Sequence, residues 1–123
     1  MNDKELLKLA ANAAGYKAVW YPCASGLDDY ELTAECGPYI DGVGWNPLTD
    51  DGDALRLAVK LRLKLEPNEH SVVVGFYPDE NGTVKEPIYE YPFYDDECIP
   101  HGHDEALRRA IVRAAAKISR AMQ

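Results

Sequence analysis

Three amphipathic segments with helical spacing, separated by pairs of short strand candidates, constrain the fold of this chain more than any other feature. Apolar residues recur every three or four positions in segments 3–14, 50–65 and 103–121, which predicts three helices with one buried face each. The intervening segments 18–23, 29–36, 71–77 and 84–91 are predicted to be strands, because they contain alternating or β-branched apolar residues. Each pair of strands is joined locally, so the pairing is expected to be mainly antiparallel.

The order α-β-β-α-β-β-α predicts a single α+β domain over residues 1–123, with three helices packed on a mainly antiparallel four-stranded sheet. The continuous run of Val72, Val73 and Val74 indicates a central strand. Pro87 cannot donate a hydrogen bond to a neighbouring strand, so its strand is expected at an edge. Segments 37–48 and 92–102 contain glycine and proline and are expected to be loops.

Charge and cysteine content limit the classes of function. The chain carries 21 acidic and 13 basic residues, a net charge of −8, which disfavours nucleic acid as a partner because phosphate binding needs a cationic surface. Segment 103–123 differs, because it contains five basic and two acidic residues. Basic residues near a helix C-terminus also interact favourably with the helix dipole, which is an alternative reason for their presence. No apolar run is long enough to span a membrane, and no signal peptide is recognised at the start, so a cytoplasmic location is expected. Cys23, Cys36 and Cys98 are therefore expected to be free thiols.

Three aspartates, Asp50, Asp51 and Asp53, stand at the beginning of the second predicted helix. Their oxygens suit a hard cation such as Mg²⁺, with Trp45 as one wall of the pocket. The alternative interpretation is that Asp50 caps the helix and the other two acids interact favourably with its dipole. Capping is favoured, because no glutamate occupies the twelfth position that a calcium-binding loop would require.

Cys98, His101 and His103 form a second group of candidate metal ligands. Their spacing lacks the second pair of ligands that zinc motifs supply, so a metal centre would need side chains from elsewhere in the fold. In the alternative interpretation, His103 or Asp104 caps the last helix. A metal-binding protein or metal-dependent hydrolase that uses these residues or the three aspartates is therefore the second functional hypothesis.

Sequence signatures of nucleophilic catalysis and of phosphate-binding loops are absent. Gly42 and Gly44 have the first spacing of a dinucleotide-binding fingerprint, but its third glycine is missing. No catalytic residue is therefore assigned, and no cofactor is expected.

Aromatic residues are concentrated among acids in segment 76–97. The tyrosines of this segment are Tyr77, Tyr89, Tyr91 and Tyr94. Tyrosine is favoured at recognition surfaces because its large ring ends in a polar hydroxyl, although it also suits half-exposed strands. This segment is the best candidate for a binding surface, and Trp45 is a further candidate binding residue.

Two stretches resemble small hypothetical proteins of phages and prophages. They are 45–61, WNPLTDDGDALRLAVKL, and 108–116, RRAIVRAAA. The resemblance is to the group described as the phage ABA (α-β-α) sandwich domain. It implies a phage or prophage origin and a sandwich-like fold, and it transfers no functional residue.

These observations favour a phage accessory protein that binds a host or phage protein through its acidic, tyrosine-rich surface. The sequence leaves the oligomeric state open.

Overall fold

The computed structural model describes residues 2–22, 35–75, 87–94, 96–97 and 100–121. Three helices are present in this part of the chain: α1 (Asp3–Ala14), α2 (Asp51–Leu61) and α3 (His103–Ala121). Together with the antiparallel strands described below, they confirm a mixed α+β architecture.

Helix α1 begins and ends where the sequence predicts. The Asn2 side chain accepts a hydrogen bond of 2.9 Å from the backbone N–H of Glu5, which satisfies one donor of the first turn. Gly15 ends the helix in the left-handed conformation, with φ of 77°, and its N–H bonds back to the last turn. The face that α1 buries includes Leu6 and Leu7.

The first sheet has the order β1-β2-β3 and is antiparallel throughout. Its strands are β1 (Val19–Pro22), β2 (Glu35–Ile40) and β3 (Val43–Gly44). The prediction of a loop over 37–48 was wrong in part, because β2 runs on to Ile40 and turns at Asp41 and Gly42 to pair with β3. Most of the strand predicted over 29–36, and the connection that precedes it, lies outside the described residues.

The second sheet has the order β4-β5-β6, also antiparallel. Its strands are β4 (Lys64–Pro67), β5 (Val72–Gly75) and β6 (Ile88–Glu90). The valine-rich strand β5 lies in the centre, as predicted, and β6 directly after Pro87 lies at an edge of this sheet. The rest of the strands predicted over 71–77 and 84–91 lies partly outside the described residues, as does the Asn81-Gly82 turn.

The single four-stranded sheet of the prediction is not confirmed. Strands β3 and β4, which the sequence analysis assigned to a loop and to a helix end, pair with β2 and β5 and complete two separate three-stranded sheets. A short ribbon of β7 (Phe93–Tyr94) and β8 (Pro100–His101) forms within the segment predicted to be the loop 92–102.

Helix α2 ends four residues earlier than predicted. It ends at Leu61, because Arg62 adopts the left-handed conformation with φ of 55° and its N–H bonds to the carbonyls of Ala58 and Val59. The chain then reverses into β4, where Leu65 turns its side chain toward the core from a strand rather than from a helix.

Helix α3 occupies the centre of the molecule. It packs against α1, α2 and the face of the β4-β5-β6 sheet that carries Val72, Val74 and Ile88. The opposite face of this sheet carries a cross-strand row formed by Glu66, Val73 and Tyr89. The two edges and the outer face of this sheet are therefore the places from which side chains can reach a partner.

Candidate functional site

The aspartates at the start of α2 form a cap, as the favoured interpretation predicted. Asp50 Oδ2 accepts a 2.8 Å hydrogen bond from the backbone N–H of Asp53. The carboxylate of Asp53 accepts from the backbone N–H of Asn46 at 2.9 Å and pairs with Arg56 at 2.8 Å. Asp53 therefore holds in place both the segment that precedes α2, through Asn46, and the first turn of the helix.

The metal-site alternative at these aspartates is not supported. Over the described ranges, no group of three or more His, Cys, Asp or Glu side chains is placed to hold a metal ion. Asp50 and Asp53 direct their oxygens to the cap and to Arg56, while Asp51 turns toward α3. The carboxylates thus diverge instead of facing a common centre.

Asp51 and Asp104, from the two predicted metal-binding segments, do come together in space, but around an arginine. Arg108 Nη1 lies 2.6 Å from Asp51 Oδ1 and 3.4 Å from Asp104 Oδ2, while its Nε donates to the carbonyl of Leu48 at 2.9 Å. The hydrogen bond that Arg108 donates to Asp51 raises the pKa of the Arg108 guanidinium above its usual value. The hydrogen bond from the N–H of Glu105, with the nearby Arg108 charge, lowers the pKa of Asp104. The ion pair between Asp51 and Arg108 therefore connects α2 to α3 at the place where the sequence analysis considered a metal ion.

The two histidines of the second metal hypothesis lie in different elements. His103 Nε2 donates to the backbone carbonyl of Glu69 at 2.7 Å and so ties the start of α3 to the β4–β5 turn. His101 belongs to β8 and is exposed. Cys98 lies outside the described residues, so its part in that hypothesis stays a prediction.

Trp45 lies in the core, where 7% of its surface is exposed. Its ring meets that of Tyr16 edge to face, with centroids 5.7 Å apart. It also lines a cavity of about 330 Å³ together with Tyr39, Asp50 and Asp53. Trp45 is thus a core residue that also lines one cavity, and it is not an exposed recognition residue.

The tyrosines after Pro87 are exposed, in contrast to Trp45. The exposed fractions are 51% for Tyr89, 67% for Tyr91, 61% for Phe93 and 48% for Tyr94. All four fall within six consecutive residues, a length of chain that spans at most about 20 Å. These four residues are called the aromatic surface below; Tyr77 lies outside the described residues.

Contacts to the rest of the molecule position the aromatic surface. Tyr94 stacks on His70 with ring centroids 6.0 Å apart, and its hydroxyl lies 3.1 Å from His70 Nδ1. The Phe93 ring covers Gly102, where an added Cβ would lie 2.5 Å from a ring carbon and where φ is +78°. Only glycine fits this position without rearrangement, so the ring is held against the backbone at the start of α3.

The acidic residues near the aromatic surface divide into two groups. Glu66 lies on the outer face of the second sheet, where it pairs with Lys64 at 2.8 Å, and Glu69 lies in the β4–β5 turn, 3.8 Å from His70. Glu90 belongs to the opposite side, where its carboxylate lies 2.7 Å from Arg113 and 3.8 Å from Arg109. The predicted acidic character of this segment is therefore partly neutralised by α3.

Sequence reasoning missed a groove beside Glu90, which α3 lines with four cations. They are Arg109, Arg113, Lys117 and Arg120. Their spacing of four, four and three residues places them along one helix face, a pattern that could have predicted the groove. The sequence analysis considered only the helix dipole as a reason for these cations.

No protein-family model, curated protein or solved structure matches this chain. Among the helices of the described segments, none combines the length and the apolar character needed to cross a membrane.

Proposed function

We propose that this protein functions by binding another protein through the aromatic surface, as a cytoplasmic accessory protein of a phage or prophage. The observation that carries the proposal is the half-exposed state of Tyr89, Tyr91, Phe93 and Tyr94 within one short segment. The phage assignment rests on the resemblance of segments 45–61 and 108–116, and the cytoplasmic location is the expectation from the sequence.

Aromatic side chains in this arrangement suit the centre of a protein interface. Each aromatic ring buries about 150–250 Å² when it is fully covered, and a specific interface buries about 800 Å² on each partner. Four half-exposed rings can therefore supply a large part of such an interface, with the tyrosine hydroxyls as hydrogen-bonding groups.

Charge indicates the complementary surface of the partner. Glu69 lies 3.8 Å from His70, on which Tyr94 stacks, and the whole chain has a net charge of −8. A partner with an apolar centre and a basic rim fits this pattern, because complementary charges accelerate association and exclude like-charged competitors.

The test compares partner capture by the wild type, the double variant Tyr89→Ala/Tyr91→Ala and the control Tyr21→Ala. Tyr21 is 51% exposed, the same fraction as Tyr89, but it belongs to β1 in the other sheet. We expect one set of phage or host proteins to be retained by the wild type and the control. The double variant should retain it at least about tenfold less, because loss of two aromatic anchors costs more than 1.4 kcal/mol.

Thermal unfolding of all three proteins is the control that checks whether the substitutions leave the fold intact. A photo-reactive residue in place of Tyr91 should form a covalent adduct with the captured protein, whereas one in place of exposed Val43 should not. Equal capture by the double variant and the control, or no capture by the wild type, would contradict the proposal.

A further inference from the structure

An apolar cavity lies where α2, α3 and β4 meet, beside the ion pair of Asp51 and Arg108. Its volume is about 290 Å³, close to the lower end of the range of about 300–1,000 Å³ that is typical of small-molecule sites in proteins. The apolar residues that line it are Ala54, Leu55, Leu65, Leu107 and Ile111. A cavity of this size and composition suits the apolar part of one small organic molecule.

The apolar lining extends from the core to the surface. Ala54 and Ile111 are each 2% exposed and form the floor of the cavity. Leu65 and Leu107 are partly buried, whereas Leu55 is 57% exposed at the mouth. A ligand with an apolar group removes such surface from water, which stabilises the complex.

Polar contacts at the rim hold the two helices in place around the cavity. Arg108 of α3 donates through Nη1 to Asp51 of α2 at 2.6 Å, and through Nε to the carbonyl of Leu48 at 2.9 Å. The cavity therefore has its shape before a ligand arrives. A site that is already formed avoids the free-energy cost of ordering its side chains on binding.

The accessible charge at the rim is negative. Among the described residues that line the cavity, three are charged, and together Asp51, Asp104 and Arg108 carry −1. The side chains of Asp51 and Asp104 are 78% and 71% exposed, whereas that of Arg108 is 16% exposed. The carboxylates thus face the solvent while the guanidinium is largely covered. Such a rim attracts a cation and disfavours an anion.

We propose that this cavity binds a small organic molecule that carries a primary ammonium group on an apolar body. The apolar body covers Ala54, Leu55 and Ile111, and the ammonium group donates to Asp51 and Asp104 at the rim. An alkyl ammonium has a pKa of about 10.4, so it is charged at pH 7, and its three donors can serve more than one carboxylate.

The contacts of Arg108 favour an ammonium group over a guanidinium group in the ligand. A guanidinium binds a carboxylate best through both of its oxygens. Arg108 already contacts one oxygen of each aspartate, Oδ1 of Asp51 and Oδ2 of Asp104. A compact ammonium group needs only one oxygen from each carboxylate and can therefore bind beside Arg108 without displacing it.

This cavity is separate from the aromatic surface. Leu65 pairs with Val74 on the face of the second sheet that is turned toward the core, whereas Tyr89 pairs with Val73 on the outer face. None of the four residues of the aromatic surface is among the described residues that line the cavity. The two proposals therefore succeed or fail independently.

The experiment is a titration of ¹⁵N-labelled protein with phenethylamine, followed by the backbone amide signals. Phenethyl alcohol has the same apolar body without the charge, phenylacetate has a negative charge, and methylamine has the ammonium group without the ring. We expect saturable shifts centred on α2 and the first half of α3 with phenethylamine. The alcohol should bind at least about threefold more weakly, and phenylacetate and methylamine at least about tenfold.

The variant Asp51→Asn/Asp104→Asn changes the charge of the three rim residues from −1 to +1 and preserves their shape. We expect it to bind phenylacetate more tightly than phenethylamine, and to bind phenethyl alcohol within about twofold of the wild type. The control Asp41→Asn/Asp96→Asn removes two exposed acids that do not line the cavity. It should keep the wild-type order of ligands, because exposed distant charges are screened by salt.

A second variant, Leu55→Ala, tests the apolar part of the cavity. Its control is Val59→Ala, because Val59 is 69% exposed on the same helix and does not line the cavity. We expect Leu55→Ala to weaken phenethylamine and phenethyl alcohol alike by at least about threefold, and Val59→Ala to stay within about twofold of the wild type. Thermal unfolding checks that each variant is folded.

Four results would overturn the proposal. These are a response to phenethylamine without saturation, shifts centred away from α2 and the first half of α3, an unchanged order of ligands in the Asp51→Asn/Asp104→Asn variant, and equal effects of Leu55→Ala and Val59→Ala. Methylamine bound as tightly as phenethylamine would likewise contradict it, since that result identifies an ion pair at the surface without use of the cavity.

Discussion

Arg108 illustrates how a single side chain redirects the interpretation of a carboxylate cluster. Its side chain is 16% exposed and contacts Asp51, Asp104 and the carbonyl of Leu48. The sequence places these acids in two separate segments. The spacing of four residues within α3 indicates the contact of Arg108 with Asp104, but no pattern indicates its contact with Asp51. Candidate metal ligands at helix starts are therefore better judged after the nearest arginine has been located.

The contact between Asp104 and Arg108 predicts a pH dependence of stability. The pKa of Asp104 is lowered in the folded protein by the Glu105 N–H and by Arg108, so the folded state binds this proton more weakly than the unfolded state. The resulting stabilisation is complete above the unfolded pKa of about 3.9 and is lost as the pH falls from there through the folded pKa. Asp104→Asn should therefore lose less stability than the wild type between pH 6 and pH 3, measured by urea unfolding.

The variant Asp41→Asn removes a carboxylate from the β2–β3 turn and serves as the comparison for the loss of one negative charge. If Asp104→Asn keeps the full acid sensitivity of the wild type, the folded-state contact of Asp104 does not contribute to it.

At the scale of elements, the end of α2 shows where pattern reasoning succeeds and where it stops. The start of the helix was predicted correctly because Asp50 provides a local cap. The end was not, because the segment 61–66, LRLKLE, fits both the helical spacing and a strict alternation of apolar and charged residues. The structure uses the alternation, which lets Leu63 and Leu65 pack on the core while Arg62 and Lys64 stay exposed.

The conformation of Arg62 predicts a stabilising substitution. A residue with a Cβ pays about 1 kcal/mol for the left-handed conformation, which glycine adopts freely. We expect Arg62→Gly to raise the free energy of unfolding by about 0.5–1 kcal/mol, measured by urea denaturation.

The same change two residues earlier, Lys60→Gly, should lower the free energy of unfolding by about 1 kcal/mol, because it places glycine inside the helix. Opposite signs at the two positions are the essential result. A loss at both positions would mean that the helical conformation of α2 continues through Arg62.

At the scale of the whole molecule, the sequence predicted the helices but not the division of the strands into two three-stranded sheets. The apolar spacing of segment 103–121 predicts one buried face of α3, yet Val112, Ala115 and Ala116 are buried as well as Ala110 and Ile111. Buried alanines on both α1 and α3 carry little information in a periodicity analysis, since alanine is common on every face of a helix. Short strands such as β3 and β7, with two residues each, are too brief to show any period.

The alanine-rich core predicts strong sensitivity to larger side chains. Ala114 is completely buried, and the interior around it has no room for three additional carbons. Ala114→Leu should lower the free energy of unfolding by about 1–3 kcal/mol, measured by chemical denaturation. Ala121→Leu makes the same change at an exposed position of the same helix and should alter stability by less than about 0.5 kcal/mol. Equal effects at both positions would contradict the tight packing of α3.

The central position of α3 also governs how the chain acquires its fold during synthesis. All the elements that α3 covers precede it in sequence, so they emerge from the ribosome with Leu6, Leu57, Val72 and Val74 still lacking their main covering helix. Contacts between such distant segments form slowly, and apolar surface left open in the meantime attracts chaperones and aggregation partners. We therefore expect a nascent chain that stalls before residue 103 to bind chaperones, and the translation of α3 to release it.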